Sequence, residues 1–409
     1  MSAASLTNTD GTARYFTAIA ENIDWVGYVD WNIRDFHSYE TRRGATYNAY
    51  LIRDSKNALI DSVKAPFTQE LLANIKGLLP LENIHYLVCH HAELDHSGAL
   101  PELARLLPQA EIVCNAKTRD ILCAYYDGAA NWKFRLVKSG DTLELGQYSL
   151  TFLEIPMVHW PDSMVSYLPQ QKLLFSNDAF GQHLACSQRF ADEIDQGTLF
   201  AEAKTYYANI VMPYGRQVVK TLSAAAALDI QTVAPSHGVV WRKDLDKIFT
   251  CYQNWATGVN RSKALIVYDS MWESTARMAA AIYKGVVAGG AEARLIRIRS
   301  SHNTELATES LDAAALVCGS STLNQKMLPA MASALTYLQG LKPQNKIGFA
   351  FGSYGWGAKG AQDEVQAALA AMNVELLREP LKCQWKPTAE VLQNCEAAGR
   401  ELGMKISGK

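Results

Sequence analysis

The segment His91-Ala92-Glu93-Leu94-Asp95-His96 places four potential metal ligands within six residues. It follows directly on an apolar run, residues 84–89, that has the length and composition of a buried strand. Taken alone, the segment could be a polar loop in which Asp95 or Ser97 caps the next helix. Three further strand ends argue otherwise. His159 follows the alternating strand 148–155, Asp178 follows 172–175, and His237 follows 231–234. A fold that brings these ends together gathers His91, His96, His159, His237, Glu93, Asp95 and Asp178 around one point. Seven donors exceed what one tetrahedral metal takes, and they suit two metals sharing a carboxylate bridge.

The donor chemistry bears on the metal. Hydrolases with such a loop usually carry His-x-His-x-Asp-His and bind zinc; here Glu93 replaces the second histidine. The third carboxylate makes the site harder and more anionic, which favours iron or manganese over zinc. Of the other histidines, His90 points to the opposite strand face from His91. His183 is either a group beside the metals or an ordinary surface or core histidine. Tyr206 and Tyr207 are core tyrosines on the simpler reading, or phenols near the metals on the other. His37, His85 and His302 read as structural or exposed.

Around the metal residues, the first half of the chain mixes short strands and helices irregularly. Residues 50–53 and 57–61 form a hairpin, and Leu100, Leu103, Leu106 and Leu107 share a helix face opened by Pro101. Such a mixture predicts α+β or a layered sandwich. Beyond the linker 257–262 the pattern becomes regular. Strands at 264–268, 293–299, 313–318, 346–351 and 374–377 alternate with helices at 276–287 and 362–372, which predicts a doubly wound parallel sheet.

Ligands of such sheets bind outside the carboxyl ends of the strands. The first loop holds Ser270, Met271, Trp272, Ser274 and Thr275 at a helix N-terminus, a phosphate cradle of hydroxyls and backbone N–H groups. No Gly-Lys-Ser/Thr follows, so this is no NTPase loop. A neutral cradle suits a single terminal monophosphate, such as that of FMN. Ser320, Thr322, Leu323 and Asn324 follow the third strand; Gly352, Ser353, Tyr354, Gly355 and Trp356 follow the fourth, with two aromatics able to pack on a flat ring. Residues 355–360 match G-x-G-x-x-G, but in the fourth βα unit and with bulky Trp356 inside, which argues against NAD. Arg294, Arg297 and Arg299 form a basic run, read as a solvated edge or as a docking patch for an acidic redox protein.

Composition narrows the classes. A length of 409 residues suggests two or three domains. With 39 basic and 41 acidic residues, charge gives no reason to expect nucleic acid or an anionic membrane. Eight cysteines without a single C-x-x-C encode no rubredoxin-type iron site, zinc ribbon or thioredoxin motif, and they fit a reducing cytoplasm. Neither a signal peptide nor an 18-residue apolar run is found.

The stretches His91-Ala92-Glu93-Leu94-Asp95-His96-Ser97-Gly98, His159-Trp160-Pro161-Asp162-Ser163-Met164, Ser176-Asn177-Asp178-Ala179-Phe180-Gly181, Ser236-His237-Gly238-Val239 and Tyr268-Asp269-Ser270-Met271-Trp272 resemble those of flavodiiron proteins, over nearly the whole two-domain core of that family. The resemblance implies an N-terminal metallo-β-lactamase-like αββα sandwich, residues 1–260, and a C-terminal flavodoxin-like α/β doubly wound parallel sheet, residues 261–409. It implies two non-haem irons and FMN. One iron would take His91, Glu93 and His159, the other Asp95, His96 and His237, with Asp178 bridging. Ser321 departs from the proline of many members. The implied activity is reduction of O2 to water or of NO to N2O, between which the sequence does not choose. Without a rubredoxin domain of its own, the chain is expected to take electrons from an external donor such as rubredoxin. The family also implies a head-to-tail homodimer or dimer of dimers in which one subunit's FMN faces the other's irons. The competing reading is a dizinc metallo-hydrolase fused to a flavodoxin-like electron-transfer module, and Glu93 is the feature against it.

Overall fold

Period-two patterning builds the first half. In a strand, successive side chains face opposite sides of the sheet. Tyr50 and Ile52 therefore face one core, and Leu51 between them faces another; Ala58, Ile60 and Leu59 repeat the pattern, as do Tyr86, Val88 and Leu87. A sheet apolar on both faces must be covered on both.

The computed structural model describes residues 6–7, 13–357 and 360–409. Seven strands form the first sheet: β1 (Thr17–Ala20), β2 (Ile23–Trp25), β3 (Tyr50–Ile52), β4 (Asn57–Ile60), β5 (Ile84–Val88), β6 (Glu111–Cys114) and β7 (Phe134–Leu136). They lie in the order β7-β6-β5-β4-β3-β2-β1, parallel from β4 to β7. The second sheet orders β8 (Thr142–Glu144), β9 (Ser149–Glu154), β10 (Met164–Leu168), β11 (Leu173–Asn177) and β12 (Thr232–Pro235) sequentially. Side chains of both sheets share one core, where Tyr50, Ile60 and Val88 meet Phe152, Leu168 and Phe175. Helices Thr68–Lys76 and Leu100–Leu106 cover the outer face of the first sheet through Leu71, Leu72, Ile75, Leu100 and Leu103. Leu106, which its spacing assigns to that buried face, is 37% exposed, because the helix ends there and the chain turns.

The third sheet is wholly parallel. It comprises β13 (Arg261–Asp269), β14 (Glu292–Arg297), β15 (Ala313–Ser320), β16 (Ile347–Tyr354), β17 (Glu375–Leu376) and β18 (Leu381–Gln384). Its order is β14-β13-β15-β16-β17, with β18 also paired to β16. That is the 2-1-3-4-5 arrangement, which puts a ligand crevice at the carboxyl ends of the strands flanking the switch point. Helices Ser274–Ala288 and Ala389–Ser407 cover one face; Asn303–Leu311, Pro329–Leu341 and Gln362–Ala371 cover the other.

Two points differ from the reading of the sequence. Arg261 and Ser262, assigned there to a linker, already belong to β13. The chain divides into units 1–206 with 216–252 and 207–215 with 253–409, so a short π-helical turn, Tyr207–Val211, joins the second unit. Among the described residues no helix is long and apolar enough to cross a membrane. Residues 358–359 of the G-x-G-x-x-G match lie outside the described residues.

Candidate metal centre and cofactor site

The carboxyl ends of β5, β11 and β12 deliver donors to one buried locus. Two groups form there: His91, His159 and Asp178, and Asp95, His96 and His237, all buried. Glu93 completes the first, its Oε2 lying 3.2 Å from His91 Nε2 and 3.4 Å from His159 Nε2. Asp178 stands between the groups. Its Oδ2 faces His159 Nε2 at 3.5 Å and His91 Nε2 at 3.9 Å; its Oδ1 faces His96 Nε2 at 3.0 Å and His237 Nε2 at 3.4 Å. Asp95 Oδ2 is 3.2 Å from His237 Nε2. Both oxygens of Asp95, both of Asp178 and both ring nitrogens of His96 are buried without a hydrogen bond of normal geometry. Buried polar atoms are rarely left so. Of these, the four carboxylate oxygens and His96 Nε2 converge on one place and fit a pair of metal ions.

Groups one step back fix the ligand rings. Asp162 Oδ1 accepts from His91 Nδ1 at 3.0 Å, and the Thr46 carbonyl accepts from His237 Nδ1 at 2.7 Å. Each bond places the ring proton on Nδ1 and leaves the Nε2 lone pair for a metal. Asp162 is anchored in turn: its Oδ2 accepts from the Ala92 amide at 2.8 Å and its carbonyl accepts from Asn115 at 2.6 Å. Burial works against protonation of His91, but the hydrogen bonds of Asp162 and Glu93 outweigh it and hold its pKa well above the usual imidazole value. His159 rises to about 9 and His237 to about 10 by the same balance, with Asp178 as principal partner. Burial would raise Asp178, yet the facing histidines hold it well below the carboxylate range. The metal-free centre is a lattice of imidazolium and carboxylate charges, and metal ions would replace its protons.

Sequence spacing did not identify Asp162, which lies three residues after His159 but turns to His91, or Thr46, which acts through its backbone. His37, read as structural or exposed, places Nε2 2.5 Å from Glu93 Oε1. Its signal is hidden in backbone shape, because His37 and Ser38 both have positive φ, 51° and 63°. His183 is buried and packs edge-on against His237 with centroids 4.8 Å apart, while its Nδ1 meets the Tyr39 hydroxyl. Tyr206 lies against both His183 and His237. Tyr207 belongs to the other unit, against Trp255. His90 bonds Asp61 at 3.0 Å and Ser166 at 2.9 Å. That hydroxyl–imidazole–carboxylate order mimics a nucleophilic triad, but Ser166 and His90 are fully buried and Asp61 is 5% exposed, so no substrate reaches it. His302 caps a helix and His85 accepts from the Asn57 amide.

The second unit carries a cleft of about 930 Å3 at the carboxyl ends of its sheet. Ten residues expected at a cofactor line it: Met271, Trp272, Ser274, Thr322, Leu323, Asn324, Ser353, Tyr354, Gly355 and Trp356. Four lie behind the lining. Ser320 Oγ donates to the Ser321 carbonyl and accepts from the Leu328 amide, tying the loop after β15. Gly352 abuts β15 so closely that a Cβ would sit 2.0 Å from the Ser320 carbonyl oxygen. Thr275 Oγ1 bonds Ser321 Oγ at 3.0 Å and Ser353 Oγ at 2.9 Å, pinning three loops together. Ser270 Oγ is buried without a partner beside the N-terminus of helix Ser274–Ala288. An unmatched hydroxyl, a helix N-terminus and two further hydroxyl loops fit a phosphate.

The structure adds Arg277, Gln325, Trp385 and Lys386 to the lining. Trp385 follows β18, a strand too short and mixed to be read from Leu381-Lys382-Cys383-Gln384. Trp272 and Trp356 are 89% and 91% exposed, aromatic surface that a flat ring would cover. Each arginine of the basic run has an exposed side chain and an acidic partner. Arg294 pairs with Glu305, Arg297 with Glu273 and Arg299 with Asp269.

Comparison with known proteins agrees with both halves. A family described as the ODP family of β-lactamases matches residues 45–238, and the flavodoxin family matches residues 266–399. A nitric oxide reductase of Moorella thermoacetica is 46% identical over 395 residues, spanning 95% of this chain and 98% of that one. The crystal structure of the flavodiiron protein from Giardia intestinalis superposes with a TM-score of 0.93 at 36% identity, covering 96% and 97% of the two chains. The rubredoxin oxygen:oxidoreductase of Desulfovibrio gigas does so with 0.92 at 37% identity, covering 96% and 99%.

Proposed function

We propose that this chain, which belongs to the flavodiiron protein family, reduces dioxygen to water or nitric oxide to nitrous oxide at two non-haem irons, with electrons relayed by FMN. The observation that carries the reading is Asp178, whose two oxygens face separate ligand groups within 3.0–3.9 Å. His91, Glu93 and His159 would hold one iron, Asp95, His96 and His237 the other, and Asp178 would bridge them. Two ferrous ions bound there would supply open coordination positions and reducing electrons, and the cleft would hold FMN as the source of further electrons.

The chain's own residues prepare that chemistry. Three carboxylates offset the positive charge brought by the metals. Asp162 and Thr46 hold two imidazoles in the metal-binding tautomer. Phe36, Tyr39, His183 and Tyr206 wall the His237 side with buried aromatic surface.

Metal centre and flavin cleft are formed by different units. We therefore take electron transfer to run between subunits of a head-to-tail homodimer, a reading that rests on family membership. The donor is external, of the rubredoxin class; a rubredoxin oxygen:oxidoreductase among the similar structures supports this. Eight free cysteines support a reducing, cytoplasmic setting.

Anaerobic turnover with reduced rubredoxin tests the function, with O2 and NO offered separately to the FMN- and iron-loaded chain. Consumption of either gas supports it, and the ratio of rates assigns the substrate. Purified protein carrying about two zinc and no iron per chain would instead favour the dizinc hydrolase.

A further inference from the structure

Behind the metal centre lies a buried polar network whose hub is Asp61, the residue after β4. Asp61 is 5% exposed and has φ +55°, a left-handed conformation that an ordinary side chain adopts reluctantly. Its carboxylate is fully used. Oδ1 accepts from the His90 amide at 2.9 Å; Oδ2 accepts from His90 Nδ1 at 3.0 Å and from Ser236 Oγ at 3.2 Å. Ser236 Oγ also accepts from Asn177 Nδ2 at 3.2 Å, and its amide donates to the Asn177 carbonyl at 2.7 Å. Ser62 donates from its amide and its hydroxyl to the His96 carbonyl, at 3.0 and 2.6 Å.

Three residues of this network each precede a proposed ligand. His90 precedes His91, Asn177 precedes Asp178 and Ser236 precedes His237. His91 and His237 fall in different ligand groups. Asp61 therefore grips one strand end for each metal, and His90 reaches on to Ser166 of the opposite sheet at 2.9 Å.

We infer that Asp61 is a positioning residue that sets the spacing of the two metal sites, by locking the His91 and His237 strand ends to one carboxylate. The inference rests on the dinuclear reading of the centre. If either end slackened, Asp178 would no longer reach both groups. Partners one step behind metal ligands commonly change affinity 10- to 100-fold. Asparagine at position 61 would offer one acceptor oxygen to three donors, leaving at least one buried donor unmet.

The test is a cobalt(II) titration of the metal-free, full-length Asp61→Asn protein, read by EPR for the spin-coupled pair. The parent should bind two ions per chain and show the coupled signal. The variant should bind its second ion about 10- to 100-fold more weakly and show a weakened coupled signal, with FMN content unchanged. Parent-like affinity together with an unaltered coupled signal would overturn the inference, even if the melting temperature fell. Should Asp61→Asn not fold, Ser236→Ala removes one of the three donors to Asp61, together with the acceptor of Asn177 Nδ2. It should weaken the ion held by Asp95, His96 and His237 more than the other; equal or absent loss would overturn the inference. A parent that binds a single ion would instead sink the dinuclear reading.

Discussion

Asp178 turns one carboxylate oxygen toward each candidate ligand group, and residues behind those groups tune them. Asp162 is the clearest tuner. Asp162→Asn keeps the shape but loses the charge that supports His91, so metal affinity should fall about 10- to 100-fold, measured by chelator competition. The protonation pattern gives a second expectation. His159 and His237 titrate at about 9 and about 10 in the metal-free fold, above the ordinary 6.5. A raised folded pKa contributes stability that is fully present below the unfolded value and lost as pH rises through the folded one. The metal-free chain should therefore melt progressively lower between about pH 7 and pH 10, whereas the metal-loaded chain, whose cations replace the protons, should not follow that decline; differential scanning calorimetry checks both. At this scale the candidate ligands were legible because each follows an apolar strand in sequence. Thr46 and His37 were not, because nothing local marks a residue that reaches the centre from a distant loop; Asp162 lies beside His159, but its bond to His91 joins residues 71 positions apart.

Among the elements, helices Ser274–Ala288 and Ala389–Ser407 show how the cofactor half is held together. Gly285 and Gly289 on one face Gly399 and Gly403 on the other. A Cβ on Gly285 would lie 2.0 Å from the Glu396 carbonyl, and one on Gly399 would lie 2.1 Å from that of Ile282. The obstacles are backbone atoms, which cannot rotate away. Gly285→Ala should thus force the helices apart and cost about 1–3 kcal/mol, read as an earlier release of flavin fluorescence on heating. The first of these helices also begins beside the Ser270–Thr275 loop, so the same crossing steadies that hydroxyl-lined end of the cleft. The alternation of strand and helix here was readable from hydrophobic period, but the glycine pairing was not, since it joins residues over 100 positions apart.

For the whole molecule, the division of the chain is less simple than a cut near residue 260. Tyr207–Gly215 belongs with the second unit. Within that unit Asn209 accepts from the Tyr337 hydroxyl at 2.7 Å. A chain beginning at residue 261 should therefore lack part of its own packing, melt below the intact protein and bind FMN more weakly, which thermal melts and flavin titration would register. Sequence alone determined the two layered halves, the seven donors at strand ends and the hydroxyl loops of the cleft. It could do so because a buried strand advertises its length and period, and a ligand or cradle placed just after it inherits that position. Only the tertiary structure decided that Asp178 stands between the two groups, that Asp61 ties their strand ends and that Tyr206 but not Tyr207 flanks the centre. Those facts depend on distances between residues far apart in the chain, and such distances are set when the sheets pack, not when the strands form.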